Sequence, residues 1–223
     1  MTYKIIESGS KGNMIIIDDT ICLDMGVSYK KAQPYLKNLK LLFISHLWLH
    51  KDHLLPTTIK TIIYNKPNIK IITGSKGVAD ILINQCKVPL KNVFLLKTKR
   101  WYDIGMCKIK LDELVHDTPN YAIHIDYKNN KILYAVDTAE ISHVTAKDYD
   151  LYLIEANYME DVLERHKKEL DENHEYDHLY RVQNVHLSYE QCNGFLIENM
   201  GDNSIYEYIH RSSYNFEEER END

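Results

Sequence analysis

Short runs of isoleucine, leucine and valine, broken by turn-forming residues, set the rhythm of the first half of the chain. Tyr3–Glu7, Asn13–Asp18 and Thr20–Asp24 read as strands of this kind. Ser28–Asn38 has helical spacing, and Leu41–Ser45 reads as a strand buried on both faces. A helix is predicted from Asp52 or His53 to about Tyr64, with Pro56 in its first turn, where the missing N–H has no intrahelical partner to lose. Strand Ile69–Thr73, helix Lys76–Asn84 and strand Val93–Leu96 complete this half.

The middle alternates on a β period over Cys107–Leu114, Tyr121–Tyr127 and Lys131–Val136, with Asn129-Asn130 as the expected hairpin turn between the last two. Strand Leu151–Glu155 and a highly charged helix over Met159–Leu170 follow. Ser188–Asn199 reads as a helix capped by Ser188, and Ser188-x-x-Gln191 has the form of a capping box. Ser204–Ile209 is the last strand. No repeat, low-complexity block or proline-rich linker interrupts the pattern. Two groups of strands, each followed by helices, suit an α+β architecture of two sheets packed face to face with helices outside. At 223 residues one domain is expected, over residues 1–216, with an acidic tail at 217–223.

Composition narrows the class. Apolar residues make up 44% and charged residues 27%, the balance of a soluble globular protein. The longest apolar runs, Met14–Ile17 and Leu41–Ile44, are too short to span a bilayer. Met1-Thr2-Tyr3-Lys4 leads straight into a strand and lacks the core of a signal peptide, so a cytoplasmic location is the expectation. Cys22, Cys86, Cys107 and Cys192 are scattered, which argues against a thiolate zinc site or a disulfide framework and for buried free thiols. The net charge of −6 is uneven: residues 1–113 hold 18 Lys+Arg against 9 Asp+Glu, and the remainder 9 against 24. A basic half can face a polyanion despite the acidic total, or it can be ordinary solvated surface.

The chemistry concentrates where strands end. His46, His50, Asp52 and His53 put three imidazoles and a carboxylate within eight residues, a dense donor set for a borderline metal such as zinc. His116 follows the strand Cys107–Leu114, Asp137 follows Lys131–Val136, and His210 follows Ser204–Ile209. Loops at one end of a sheet pair would bring them together. Singly, each has a plainer reading: one face of a helix for His46, His50 and His53, a turn for Asp137, an ordinary histidine for His116 or His210.

These segments resemble the metallo-β-lactamase fold. The run His46–His53 is similar to its His-x-His-x-Asp-His signature. Ser8-Gly9-Ser10-Lys11-Gly12-Asn13, Leu23-Asp24-Met25-Gly26, Val115-His116-Asp117, Val136-Asp137-Thr138, Leu153-Ile154-Glu155-Ala156-Asn157, His186-Leu187-Ser188 and Ile209-His210 follow the family's order. Together they look like the YycJ/WalJ-like branch, which includes exonuclease-type enzymes and phage-encoded relatives and is related to ribonuclease Z. The resemblance implies an αββα sandwich with two divalent metals, zinc or manganese. His46, His50 and His116 would hold the first, Asp52, His53 and His210 the second, and Asp137 would bridge them. It gives Asp24 the task of orienting ligand imidazoles. It makes Asp52, Glu155 and His186 the catalytic candidates, with Glu155 and His186 as a proton-donating pair, although His186 and His210 could exchange roles.

One departure is local. The family has one residue between its first two histidines; here Leu47, Trp48 and Leu49 intervene. Either the loop bulges or coils to keep His46 in place, or Trp48 takes the first histidine's slot. The functions implied are a phosphodiesterase or nuclease on nucleic acid, a hydrolase for a small substrate such as a cyclic nucleotide, lactone or thioester, or a degenerate binding protein. Trp48 and Trp101 could stack on bases, and Lys97–Arg100 could meet phosphates. Arg165-His166-Lys167-Lys168 reads as exposed helix, while His174, His178 and Arg181 could line a substrate channel.

Overall fold

The computed structural model describes residues 1–47, 52–172 and 179–212. His50, Trp48 and Leu49 therefore lie outside the described residues, as do His174, His178 and the tail at 217–223. The first sheet runs in the order β1 (Tyr3–Glu7), β2 (Met14–Ile17), β3 (Ile21–Leu23), β4 (Leu41–Phe43), β5 (Lys70–Thr73) and β6 (Val93–Leu95). Its first two pairings are antiparallel and the rest parallel. The second sheet contains β7 (Tyr102–Asp103), β8 (Lys108–Leu114), β9 (Asn120–Tyr127), β10 (Asn130–Ala135), β11 (Leu151–Glu155) and β12 (Ile205–Ile209), with β12 at one edge. There β10, β11 and β12 are parallel and β7 to β10 antiparallel.

Alternation along these strands builds the layers. Ile15, Ile17, Leu23, Leu41 and Phe43 share one buried cluster with Ile109, Leu111, Ile125, Tyr134 and Leu153 between the sheets. The residues between them, Met14, Ile16, Cys22 and Leu42, pack on the other face with the helices α1 (Tyr29–Ala32), α2 (Pro56–Asn65) and α3 (Lys76–Asn84). Leu133, Tyr152 and Ile154 point outward from the second sheet onto Cys192, Phe195 and Leu196 of α6 (Tyr189–Asn199). Successive side chains on opposite faces thus bury each central strand twice and yield four layers, helix, sheet, sheet, helix. Truncating an inter-sheet residue such as Phe43 to alanine would cost about 3–5 kcal/mol. All four cysteines are free and buried.

Several boundaries differ from the sequence reading. The helix expected over Ser28–Asn38 is only α1, capped by Ser28, followed by a 3-10 turn Gln33–Tyr35 around Pro34. Proline removes the donor that would continue an α-helix. Helix α2 starts at Pro56 rather than at Asp52 or His53. The β9–β10 hairpin turns at Lys128-Asn129, both with positive φ, and Asn130 already pairs with Tyr127. The two-residue turn therefore sits one residue earlier than expected. The capping box of Ser188 and Gln191 is present in full. The charged helix α4 (Glu160–Glu172) is followed by the short α5 (Leu179–Val185), which the pattern did not mark. Lys167 is not exposed: it is buried, with Nζ 2.9 Å from Glu164 and 2.6 Å from Gln183 of α5. Among the described residues no helix is long and apolar enough to cross a membrane.

Candidate metal centre

Strand direction gathers the site. β8 is antiparallel to β9 and β9 to β10, so β8, β10, β11 and β12 all point the same way. Their carboxyl ends carry His116, Asp137, Glu155 and His210. Across the sandwich, β3 and β4 end beside Asp24 and His46. Sites of this kind form where parallel strands end, because the chain there leaves the sheet and its side chains are released from pairing. Asp24, Asp137 and His210 each have left-handed backbone, with φ of 57°, 53° and 53°. Aspartate and histidine enter this region more readily than most residues.

Asp24 is fully buried and organises the His46–His53 segment. Its Oδ1 accepts the Ser45 N–H at 2.8 Å. Its Oδ2 accepts the Ser45 hydroxyl at 2.9 Å, the Tyr134 hydroxyl at 2.6 Å and Nδ1 of His53 at 2.6 Å. Because the Ser45 hydroxyl gives its one proton to Asp24, it can only accept from His46 Nδ1, 3.0 Å away. The neutral His46 ring then carries its lone pair on Nε2. That nitrogen lies 3.3 Å from Asp137 Oδ2 and makes no hydrogen bond with a described residue. His116 donates Nδ1–H to the Val185 carbonyl at 3.1 Å, which puts the lone pair of its neutral ring on Nε2 as well. Arg181 pairs with Asp117 and ties α5 to the same loop.

Asp137 sits at the centre. His53 Nε2 is 2.8 Å from its Oδ2, and Nδ1 of His210 and of His186 are 3.0 and 3.2 Å from its Oδ1. Two groups of donor atoms, each with all members within 4.8 Å of one another, meet at this carboxylate: His46, His116 and Asp137, and Asp52, His53, Asp137 and His210. A third comprises Asp137, Glu155, His186 and His210. His210 Nε2 and Asp52 Oδ1 are buried with no hydrogen-bond partner among the described residues. Such orphans are costly unless something else satisfies them. A nitrogen lone pair facing a carboxylate oxygen is repulsive, and a cation between them would reverse the sign.

Electrostatics follow from this crowding. Burial, reinforced by the neighbouring His53, drives the His46 pKa well below its usual value. Burial pulls His53 the same way, but the carboxylates of Asp24 and Asp137 outweigh it and raise its pKa well above the ordinary value. Burial would raise the pKa of Asp137, yet His210, His53 and His186 carry it well below the carboxylate range. His186 Nδ1 is 2.6 Å from Glu155 Oε1, and Nδ1 of His210 is 3.0 Å from the same oxygen. Burial opposes the charge on His186, but Glu155 and Asp137 prevail and push its pKa up to about 10. The pKa of Glu155, raised by burial, is lowered overall by His186.

The structure thus brings together His46, Asp52, His53, His116, Asp137, Glu155, His186 and His210, with Asp24 behind His53; His50 lies outside the described residues. Trp101 stands away from this rim, half-exposed and edge-on to His124. The sequence reading gave no role to Ser45 or Tyr134 on Asp24, to Thr138, whose N–H reaches Glu155 Oε2 at 2.9 Å, or to Asn157, which donates to the His210 carbonyl at 2.8 Å. Ser45, Thr138 and Asn157 stand beside recognised residues and could have been flagged. Tyr134 reads only as an inward strand residue.

No family model matches the sequence, and no curated protein matches it. Solved structures do. The crystal structure of the metallo-β-lactamase fold protein YhfI from Bacillus subtilis has a TM-score of 0.64 at 14% identity, covering 95% of this chain and 86% of that one. The short form of human tRNase Z has a TM-score of 0.64 at 16% identity, with 96% and 93% covered. A diphosphatase of the PhnP family has a TM-score of 0.66 at 12% identity, with 99% and 90% covered. The chain has the metallo-β-lactamase fold.

Proposed function

We propose that this chain is a metal-dependent hydrolase of phosphodiesters, nucleic acid foremost, related to the YycJ/WalJ-like branch. The observation that carries the reading is the lone pair of His46 Nε2 facing Asp137 Oδ2 at 3.3 Å, with two donor groups meeting on that one carboxylate. His46, His50 and His116 would hold one cation and Asp52, His53 and His210 a second, with Asp137 shared. Zinc suits the imidazole-rich set, and manganese suits mixed histidine and carboxylate donors. Bound divalent cations supply charge that draws on phosphate oxygens and acidifies water near neutral pH.

The chain's own part is the Glu155–His186 pair. Glu155 accepts Nδ1–H and holds the imidazolium, so His186 keeps its proton at neutral pH. Its free end, Nε2, can then give a proton to the departing oxygen. Of the two histidines on Glu155, His210 is the more deeply buried and has the orphaned Nε2, whereas the His186 side chain retains 21% of its exposure. That difference favours His186 as the donor and His210 as a ligand. A hydrolase for a small phosphodiester such as a cyclic nucleotide is the second reading, favoured by the modest cavity of about 360 Å³ beside His186.

Metal analysis of purified protein, paired with hydrolysis of a chromogenic phosphodiester, tests the proposal. About two equivalents of metal are expected, with turnover abolished by Asp137→Ala. Neither binding nor turnover with zinc or manganese supplied would overturn it.

A further inference from the structure

A buried asparagine grips the backbone on which the shared carboxylate stands. Asn120 is the first residue of β9 and is fully buried. Its Nδ2 donates to the Val136 carbonyl at 2.6 Å and to the Asp137 carbonyl at 2.6 Å. Its Oδ1 accepts the Tyr121 N–H at 2.8 Å. The amide nitrogen carries two N–H donors and the amide oxygen only accepts. The reverse orientation would set Oδ1 against two carbonyl oxygens, so the chemistry fixes which end faces Asp137.

One amide cannot reach two consecutive carbonyls of a β-strand, because they point to opposite edges. They swing to one side when the residue between them takes helical dihedrals of either hand. The Val136 carbonyl precedes the Asp137 Cα and the Asp137 carbonyl follows it, so gripping both holds φ and ψ of that single residue. Asp137 has φ of 53°, an unfavourable geometry for an L-residue. Strand pairing does not impose it: β10 ends at Ala135, which pairs with Ile154. Two hydrogen bonds that exist only in this geometry offset its cost. The same asparagine pairs with Leu114 across the β8–β9 ladder, two residues before His116. Val115, between them, donates its N–H to Thr138 Oγ1 at 3.1 Å and accepts the Ala139 N–H at 2.8 Å. The corners carrying His116 and Asp137, which share a donor group with His46, are thus fastened together.

We propose that Asn120 is a positioning residue for the metal centre, clamping the left-handed corner at Asp137 so that one carboxylate serves both donor groups. Its hydrogen bonds all go to backbone, so it acts only through Asp137. The inference rests on the hydrolase reading and deepens it by naming what holds the shared donor in place.

Metal binding, without turnover, provides the test. Zinc affinity is measured by competition with a chromogenic chelator, and the visible absorption of bound cobalt(II) reads the ligand geometry. Asn120→Ala is compared with Asn92→Ala, which also removes a buried amide. Asn92 donates to the Pro67 carbonyl at 2.5 Å, but it stands where β5 and β6 begin rather than where they end. Asn120→Ala is expected to bind zinc about 10- to 100-fold more weakly, the usual cost of losing a group that supports a ligand, with altered cobalt(II) bands. Asn92→Ala should keep wild-type affinity and bands even where its melting temperature falls. Asn120→Ser, which keeps one donor, should fall between, and it is the variant read if the alanine chain does not fold. In an Asp137→Ala background the further loss from Asn120→Ala should vanish, because the carboxylate being positioned is gone. Wild-type zinc affinity in the folded variant, or equal losses in the two alanine variants, overturns the clamp and leaves the hydrolase reading standing. A wild-type chain that takes up no metal overturns both.

Discussion

Nδ1 of His53 lies 2.6 Å from Asp24 Oδ2, and this contact turns the other ring nitrogen toward Asp137, 2.8 Å away. Both residues are fully buried, so the pair cannot fall back on water. Removing one partner of a buried ion pair strands the other charge, at about 3–5 kcal/mol. Asp24→Ala is therefore expected to lose stability on that scale, read by denaturant unfolding. It should lose metal as well, since Ser45 and Tyr134 are released together with His53. Wild-type stability and metal content in this variant would contradict the assignment.

Gly26 is required by a crossing of two backbones. A Cβ at this position would sit 1.5 Å from the Asp52 carbonyl oxygen, which also accepts the Asn13 N–H at 2.6 Å. Gly26→Ala must therefore displace the segment carrying Asp52 and His53. A cost on the order of 3 kcal/mol is expected, measured as a lower melting temperature. Reduced metal content should accompany it.

His186→Gln should lower kcat by about 10²- to 10⁴-fold, the usual contribution of general acid–base catalysis, with a smaller change in KM. Glu155→Gln removes the charge that holds the imidazolium. The alkaline limb of the kcat profile should then move to lower pH, because His186 loses its proton sooner. A limb that stays in place would separate His186 from the proton transfer.

Stability should also respond to pH through a cluster far from the rim. His124 is fully buried, with Nε2 2.9 Å from Asp112 Oδ2 and Nδ1 3.0 Å from the Tyr149 hydroxyl. Burial lowers its pKa below 6.5 against the opposing pull of Asp112. Below pH 6.5 the unfolded chain accepts a proton that the folded one refuses, so stability falls with pH in this range. Burial raises the pKa of Asp112, but His124 and Lys110 bring it down to about 2. Its stabilisation is present above pH 3.8 and is lost as pH falls toward 2. Unfolding free energies of wild type and His124→Gln across pH 2–8 check both windows. The wild-type advantage should shrink below pH 6.5, and a pH-independent difference would remove His124 as the cause.

The layers were legible because the code for them is local. Strands such as β2 and β4 are apolar on both faces, and the turns between them are marked in the sequence. What escaped was decided by contacts distant in the chain. Strand β7, only Tyr102–Asp103, exists because it pairs with Ile109 and Lys108. Lys167 reads as surface until α5 packs beside it. The candidate donors at 46, 52, 53, 116, 137 and 210 stand out by their chemistry, while Tyr134 does not, since its hydroxyl meets Asp24 from 110 positions away. The hairpin turn moved by one residue because pairing of Tyr127 with Asn130, rather than the asparagine pair itself, sets the register.

The left-handed corners at Asp24, Asp137 and His210 limit how the centre can be re-engineered. Exchanging donors to favour another metal looks like a matter of chemistry, but at these positions the backbone screens the candidates first. Left-handed geometry costs ordinary L-residues roughly 1–2 kcal/mol and admits glycine, asparagine and aspartate most easily. β-Branched residues are disfavoured further. A saturation library at 24, 137 and 210 should therefore return folded clones from a narrow alphabet, while His46 and His116, free of that geometry, offer the wider field for altering metal preference.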